Sequence, residues 1–212
     1  MSYTLGQDGV EKFVATPELQ SADHIGHDPL PHGHVWTISP GGQDEGSGLY
    51  RIEVTEGPGA GVRILNRPAP QAFAESVKYA EANLYTRASA LIGDRSPREH
   101  EFSIQLRAFD TSKNGRSLGV AALLAFCSAL INKSLRGGLV IVGGLNLGGS
   151  IDPLSNAIDM VELAVERGAS VILMPVSSRK QLFDLSDDLA TKITAVFYRD
   201  AREAFIKAVA DS

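Results

Sequence analysis

The sequence predicts an α/β or α+β fold on a mixed sheet, because short β-rich runs alternate with helical periods over most of its length. Three features carry this expectation. Val35–Ile38, Leu49–Val54 and Val62–Leu65 are compact β-rich runs separated by glycine pairs and Gly57-Pro58-Gly59, which reads as a strand-and-turn meander. Between Ala72 and Ile92, Phe73, Val77, Ala80, Leu84, Ala88 and Leu91 recur every three to four residues with charges interleaved, the mark of an amphipathic helix. From Gly138 onward, apolar strand runs and helical segments take turns to the C-terminus.

Taken in order, residues 1–33 show no sustained period and are rich in Asp, Gly, His and Pro, so they are expected to be an irregular arm or linker, with the folded domain over 34–212. Phe102–Arg107 alternates strictly and is a strand. Val120–Ile131 carries no charge and no breaker and is a helix buried on most sides. Then come a strand at Gly138–Val142, a short strand around Leu145–Leu147 and a helix from about Ser155 to Arg167, stopped by Gly168. A strand at Ser170–Met174, a short helix near Arg179–Phe183, a strand at Ile193–Phe197 and a helix from Arg199 to Ala210, favoured at its start by Asp200, complete the chain. The helix after Leu118 and the helix carrying Met160 are expected to cover one face of the sheet.

Composition bounds the function. With 212 residues, 43% hydrophobic, and a mean hydropathy of −0.02, the chain can bury a sizeable core. Its longest uncharged apolar run falls short of the roughly 20 residues that span a bilayer, and the polar N-terminus lacks a signal pattern. A single cysteine, Cys127, sits in that run as a small core residue, and a cytoplasmic address is expected. The formal charge of −5 argues against nonspecific attraction to nucleic-acid phosphate, so any nucleic-acid contact is expected mainly from other domains, despite Arg87, Arg95, Arg98 and Arg107 lying near one another in sequence.

Ser117, in Gly115-Arg116-Ser117-Leu118-Gly119, is the candidate nucleophile. It stands where a loop opens a buried helix, whose N-terminal N–H groups suit an oxyanion. The plain alternative is an N-cap serine. All five histidines precede Ser117, which excludes the Ser…acid…His order of an α/β-hydrolase. A Ser-Lys pair remains open, and spacing does not choose among Lys133, Lys180, Lys192 and Lys207.

The ordered set Lys113–Gly119, the apolar helix behind it, Gly149-Ser150-Ile151-Asp152-Pro153, Glu166-Arg167-Gly168-Ala169 and Val171–Pro175 resembles the proteolytic domain of Lon-type ATP-dependent proteases. Phe183-Asp184-Leu185-Ser186 and Phe197-Tyr198 make it most similar to the Lon-like proteins of bacterial BREX phage-defence systems. The resemblance implies a serine-peptidase fold attached to an AAA+ ATPase, cyclic homo-oligomeric assembly such as a hexamer, and no cofactor in this segment, with ATP and Mg held by an upstream ATPase domain. It also places the family's catalytic serine on Ser117 and its lysine on Met160, 43 positions later (117 to 160). Methionine cannot accept a proton. The acidic residue that precedes the family serine falls on Asn114, and the histidine-bearing strand reads Ser103–Arg107. The resemblance thus implies the fold together with a degenerate site; the alternative is an active peptidase in which a non-standard base activates Ser117.

His24, His27, His32 and His34 lie within eleven residues, but Asp28-Pro29-Leu30-Pro31 offers no regular frame for ligands, and no metal is expected. The glycine-rich run Gly143–Gly149 lacks the lysine of a phosphate loop, so no nucleotide site is expected.

Overall fold

The computed structural model describes residues 2–5, 11–14, 23–42, 45–110 and 115–210, the first two segments as backbone only. The strands are β1 (Ser2–Leu5), β2 (Glu11–Val14), β3 (His34–Ser39), β4 (Gly48–Pro58), β5 (Gly61–Ile64), β6 (His100–Ala108), β7 (Leu139–Ile141), β8 (Gly144–Leu145), β9 (Ile151–Asp152), β10 (Val171–Pro175) and β11 (Thr194–Tyr198). The helices are α1 (Gln71–Thr86), α2 (Ala88–Ile92), α3 (Gly119–Ile131), α4 (Ala157–Glu166), α5 (Asp187–Lys192) and α6 (Ala201–Ala208), with 3-10 turns at Pro97–Glu99 and Val176–Asp184. Seven strands form one mixed sheet in the order β11-β10-β7-β3-β4-β6-β5. β3–β4 and β4–β6 are antiparallel, and the other four pairings are parallel. β1–β2 and β8–β9 are separate antiparallel pairs.

Strand side chains alternate between two apolar layers, as the pleat requires. On β7, Leu139 and Ile141 join the layer of α1, α3 and α6, whereas Val140 joins the layer of α4; on β10, Leu173 faces the first layer and Ile172 and Met174 the second. The expectation that the Ser117 helix and the Met160 helix share a face is therefore corrected: they lie on opposite faces. Both strands are apolar throughout, so their sequence holds no polar face from which to see that each side is covered.

α3 is the centre of the first layer, with twelve of its thirteen residues buried. Leu123, Leu124 and Phe126 are wholly buried, each worth about 1.5–3 kcal/mol on area grounds. Burial pushes the Cys127 thiol up to about 12, so it packs as an apolar group with no thiolate at neutral pH.

Other departures have local causes. The third β-rich run does not extend a meander: β5 pairs parallel with β6 at the sheet edge, because β6 inserts between it and β4. The long amphipathic helix breaks at Arg87 (φ −123°), dividing α1 from α2. Residues 1–33 hold more regular structure than their lack of period suggests, with β1 and β2 paired and Ile25 wholly buried in the α4 layer, its N–H donating to the Arg167 carbonyl at 2.8 Å. β9 and α5 were not expected. Asp200 caps α6, accepting from the Glu203 N–H at 2.8 Å. No helix among the described residues is long and apolar enough to cross a membrane.

Tyr198, at the end of β11, is wholly buried and donates its hydroxyl to the Val142 carbonyl at 2.6 Å. The same hydroxyl lies against Gly143, at φ +146°, where a Cβ would overlap it. Tyr198→Phe is expected to lower unfolding stability by about 1–3 kcal/mol, the cost of a buried carbonyl left without its donor. Gly143→Ala should cost more, about 3 kcal/mol, and less when made in the Tyr198→Phe background, where the obstructing hydroxyl is gone. Urea unfolding of the three variants measures this; strictly additive losses would contradict the contact.

Candidate functional site at Ser117

The loop that bears Ser117 starts from a pinned end. Where β6 leaves the sheet, the Phe109 N–H donates to the Leu49 carbonyl at 3.1 Å and Asp110 Oδ2 accepts from the Leu49 N–H at 2.7 Å. The Arg167 guanidinium, at the end of α4, pairs with Asp110 Oδ1 and, at 2.8 Å, with Asp23 Oδ2. Lys113 and Asn114, the latter at the family's acidic position, lie outside the described residues.

From Gly115 the backbone is held by groups on three other elements and on the link between β7 and β8. The Gly115 N–H donates to Tyr50 Oη at 3.4 Å, and Ser39 Oγ donates to the Arg116 carbonyl at 2.8 Å. The Leu118 N–H donates to Ser76 Oγ of α1 at 3.3 Å, and the Val120 N–H to the Gly143 carbonyl at 3.3 Å. Both glycines of the motif are required by packing: Gly115 adopts φ +57°, and a Cβ on Gly119 would come within 2.8 Å of Leu145 Cβ.

Ser117 itself adopts φ +58°, in the left-handed region that a non-glycine residue occupies at a cost. It is not the N-cap of α3. That position belongs to Leu118, which makes no side-chain cap bond, so the N-cap reading of Ser117 does not hold. The sharp turn places Ser117 at the wall of a cavity of about 180 Å³, lined also by Ala72, Glu75, Ser76 and Tyr79 of α1, Arg116, Gly144 and Leu145 of β8, and Asp152 of β9.

The cavity's ionisable groups set its chemistry. Tyr79 Oη donates to Glu75 Oε1 at 3.0 Å. That hydrogen bond, then the charges of Glu75 and Asp152 together with partial desolvation, raise the Tyr79 pKa, so the phenol is held protonated and is no base. Arg116 donates Nη2 to the Gly41 carbonyl at 3.0 Å and is a fixed cation. Glu75 and Asp152 are the remaining proton acceptors, and a carboxylate is a poor base toward an alcohol.

Met160 is not among the residues lining this cavity. It is wholly buried in the α4 layer, in one apolar cluster with Trp36, Val140, Val161 and Met174. The buried face of α4 is Ala157, Met160, Val161 and Ala164, so Met160 stands on the stripe and not beside it. The four clustered histidines do not converge: His34 opens β3, while the His24 ring lies against Gly168. Among the described residues no group of three His, Cys, Asp or Glu side chains is arranged to hold a metal ion. The arginines noted in sequence are engaged separately, Arg98 over the Tyr85 ring and Arg107 with Glu53 and the Phe109 ring.

Sequence reasoning missed Glu75, Tyr79, Arg116 and Asp152 as lining residues. Glu75 and Tyr79, one helical turn apart, were legible as one strip of α1, but nothing in sequence turns that strip toward Ser117. Asp152 stood in plain view before Pro153, and only the β8–β9 pairing, which sets it opposite Gly144, brings it to the cavity.

The chain is similar in sequence to known proteins along most of its length. The Lon-like protease BrxL of Escherichia coli O9:H4 (strain HS) is 29% identical over 216 residues, covering 98% of this chain and 30% of that protein. The Lon-like protease BrxL of Bacillus cereus (strain H3081.97) is 24% identical over 213 residues, covering 98% of this chain and 31% of that protein. The Lon protease of Lawsonia intracellularis (strain PHE/MN1-00) is 31% identical over 187 residues, 87% of this chain and 22% of that protein. The chain thus spans less than a third of the length of each of these relatives. The family profile described as the Lon protease (S16) C-terminal proteolytic domain matches residues 8–210. With a mixed sheet, a buried helix behind a glycine-flanked serine, and a match over nearly its whole length, the chain belongs to the Lon protease (S16) C-terminal proteolytic domain family.

Proposed function

We propose that this chain is the Lon-type domain of a larger cytoplasmic AAA+ ATPase of phage defence, that its peptidase chemistry is lost, and that it serves as an assembly or docking module in a homo-oligomeric ring, hexameric by family resemblance. The observation that carries the loss of chemistry is the lining of the Ser117 cavity. Among the described residues it presents carboxylates, an arginine and a hydrogen-bonded phenol, with neither lysine nor histidine. Met160, to which the resemblance assigns the family's lysine, is sealed in apolar surroundings on the opposite face of the sheet from the Ser117 helix, so that assignment supports neither reading of the cavity. ATP and Mg belong, in this reading, to an ATPase part outside these 212 residues.

One observation favours a second reading. Ser117 keeps a positive φ and an open cavity, the shape of a working nucleophile turn, so an active peptidase would use Asp152 or Glu75 as a non-standard base. Hydrolysis of casein by the full-length protein with ATP and Mg, beside Ser117→Ala, separates the two. No turnover above the Ser117→Ala control is expected; turnover that the substitution abolishes would establish the second reading.

Met160→Lys should not restore activity, because an ammonium placed in the α4 layer is buried without a partner. The variant should lose about 3 kcal/mol or more of stability. The loss should grow as pH falls, because the unfolded chain then binds a proton that the buried amine resists. Unfolding at pH 6 and pH 9 tests the sign; equal stability at both would place the new side chain in solvent.

Ring assembly is tested by sedimentation of the full-length protein. Cyclic oligomers are expected with nucleotide, and monomer alone under every nucleotide condition would overturn the assembly role.

A further inference from the structure

The seam between α1 and the β8–β9 hairpin continues beyond the serine cavity. At one end Glu75, Ser76 and Tyr79 face Gly144, Leu145 and Asp152. At the other, Asn83 and Arg87 face Gly148, Gly149 and Ser150 around a second cavity of about 320 Å³, lined also by Ala90 and Leu91 of α2 and by Asp200, Ala201 and Arg202 where α6 begins. Asn83 divides the two, donating Nδ2 to the Asn146 carbonyl at 3.0 Å and to the Tyr79 carbonyl at 2.8 Å. The second cavity has the size of a small-molecule site.

Its donors outnumber its acceptors. Arg87 gives Nε to Asn83 Oδ1 at 3.0 Å and Nη2 to the Gly148 carbonyl, which uses two of the five N–H donors of a guanidinium. The guanidinium rests against Gly149, where a Cβ would stand 2.5 Å from Nε, so the loop is shaped around it. Arg202 is exposed and makes no hydrogen bond or ion pair among the described residues. The one carboxylate, Asp200, is committed through Oδ1 to the Glu203 N–H. Two arginines against one engaged aspartate leave a positive cavity with an apolar side at Ala90, Leu91 and Ala201.

We propose that this second cavity binds a small organic oxyanion, its phosphate or carboxylate engaging Arg87 and Arg202 and its apolar body resting on Ala90, Leu91 and Ala201. Arginine suits either group, since its planar fork matches both in a bidentate manner. Arg87 also holds the Gly148 carbonyl, so a ligand there acts on the hairpin that walls the Ser117 cavity. The assignment is independent of whether Ser117 hydrolyses anything.

Calorimetric titration of the 212-residue protein with phenyl phosphate, with benzoate and with uncharged phenol at fixed low ionic strength tests it. Saturable one-to-one binding of phenyl phosphate or benzoate, and none of phenol, is expected; the tighter of the two anions identifies the oxyanion class. Arg202→Gln, which removes a side chain without a hydrogen-bond or ion-pair partner among the described residues, should weaken binding tenfold or more while circular dichroism stays unchanged. Arg63→Gln, at an exposed ion pair with Glu101 outside this cavity, should leave binding as it is. Absence of saturable binding by both anions, equal binding of phenol, wild-type affinity in Arg202→Gln, or equal loss in Arg63→Gln would each overturn the proposal.

Discussion

The constraint on which the site depends is the burial of the N-terminal end of α3. A helix leaves its first backbone N–H groups without internal partners, and at a buried end water cannot serve them all. Here the partners come from elsewhere in the fold: Tyr50 of β4, Ser76 of α1 and the Gly143 carbonyl between β7 and β8 take the N–H groups of Gly115, Leu118 and Val120. Because these elements already supply acceptors, no side-chain cap is needed on α3 itself, and Ser117 is left to line the cavity. The left-handed backbone at Ser117 is sustained by the same surroundings, since Ser39 fixes the carbonyl immediately before it.

A second consequence follows from the two-faced sheet. The chain leaves β7, makes the β8–β9 hairpin beside α1 and α3, and then crosses to the opposite face as α4. The hairpin therefore belongs to the serine's surroundings, while Met160 belongs to the other layer. Gln181 secures the crossing: its Oε1 accepts from the Ala157 N–H at 3.1 Å and its Nε2 donates to the Leu154 carbonyl at 2.6 Å, holding the start of α4 where Asn156 takes a left-handed turn. A single side chain in the following 3-10 turn thus bonds the backbone on both sides of the helix start.

Much of the fold was legible because its driving pattern is local. The β-rich run at 35–38, the alternating run at 102–107 and the apolar run at 171–174 are strands, and the uncharged stretch after Ser117 is a buried helix, since period and composition report burial directly. What was not legible is pairing and facing. β5 looks like any third strand of a meander, and only the insertion of β6 moves it to the edge. Val140, Ile141 and Val142 are equally apolar, so no contrast marks which side each faces. At the site, Ser117 and both glycines were read from the motif, but its positive φ and its carboxylate neighbours arise from contacts between the loop and residues distant in sequence, such as Ser76 and Asp152, which no local pattern encodes.

Shape and chemistry at Ser117 consequently rest on different residues. The shape comes from Tyr50, Ser76, Ser39, Gly119 and Gly143, each of which also serves the packing of α3 or the closure of the sheet. A base, by contrast, would have to come from the cavity's free walls, where Glu75, Tyr79 and Asp152 carry no comparable packing duty. Loss of a base costs the fold nothing, while loss of the turn would strand buried N–H groups at about 1–3 kcal/mol each. A domain of this fold therefore has a reason of stability to keep its nucleophile turn, whether or not it hydrolyses a peptide. The retained turn at Ser117 speaks for the architecture, and the proton-accepting chemistry of the cavity walls decides what that architecture does.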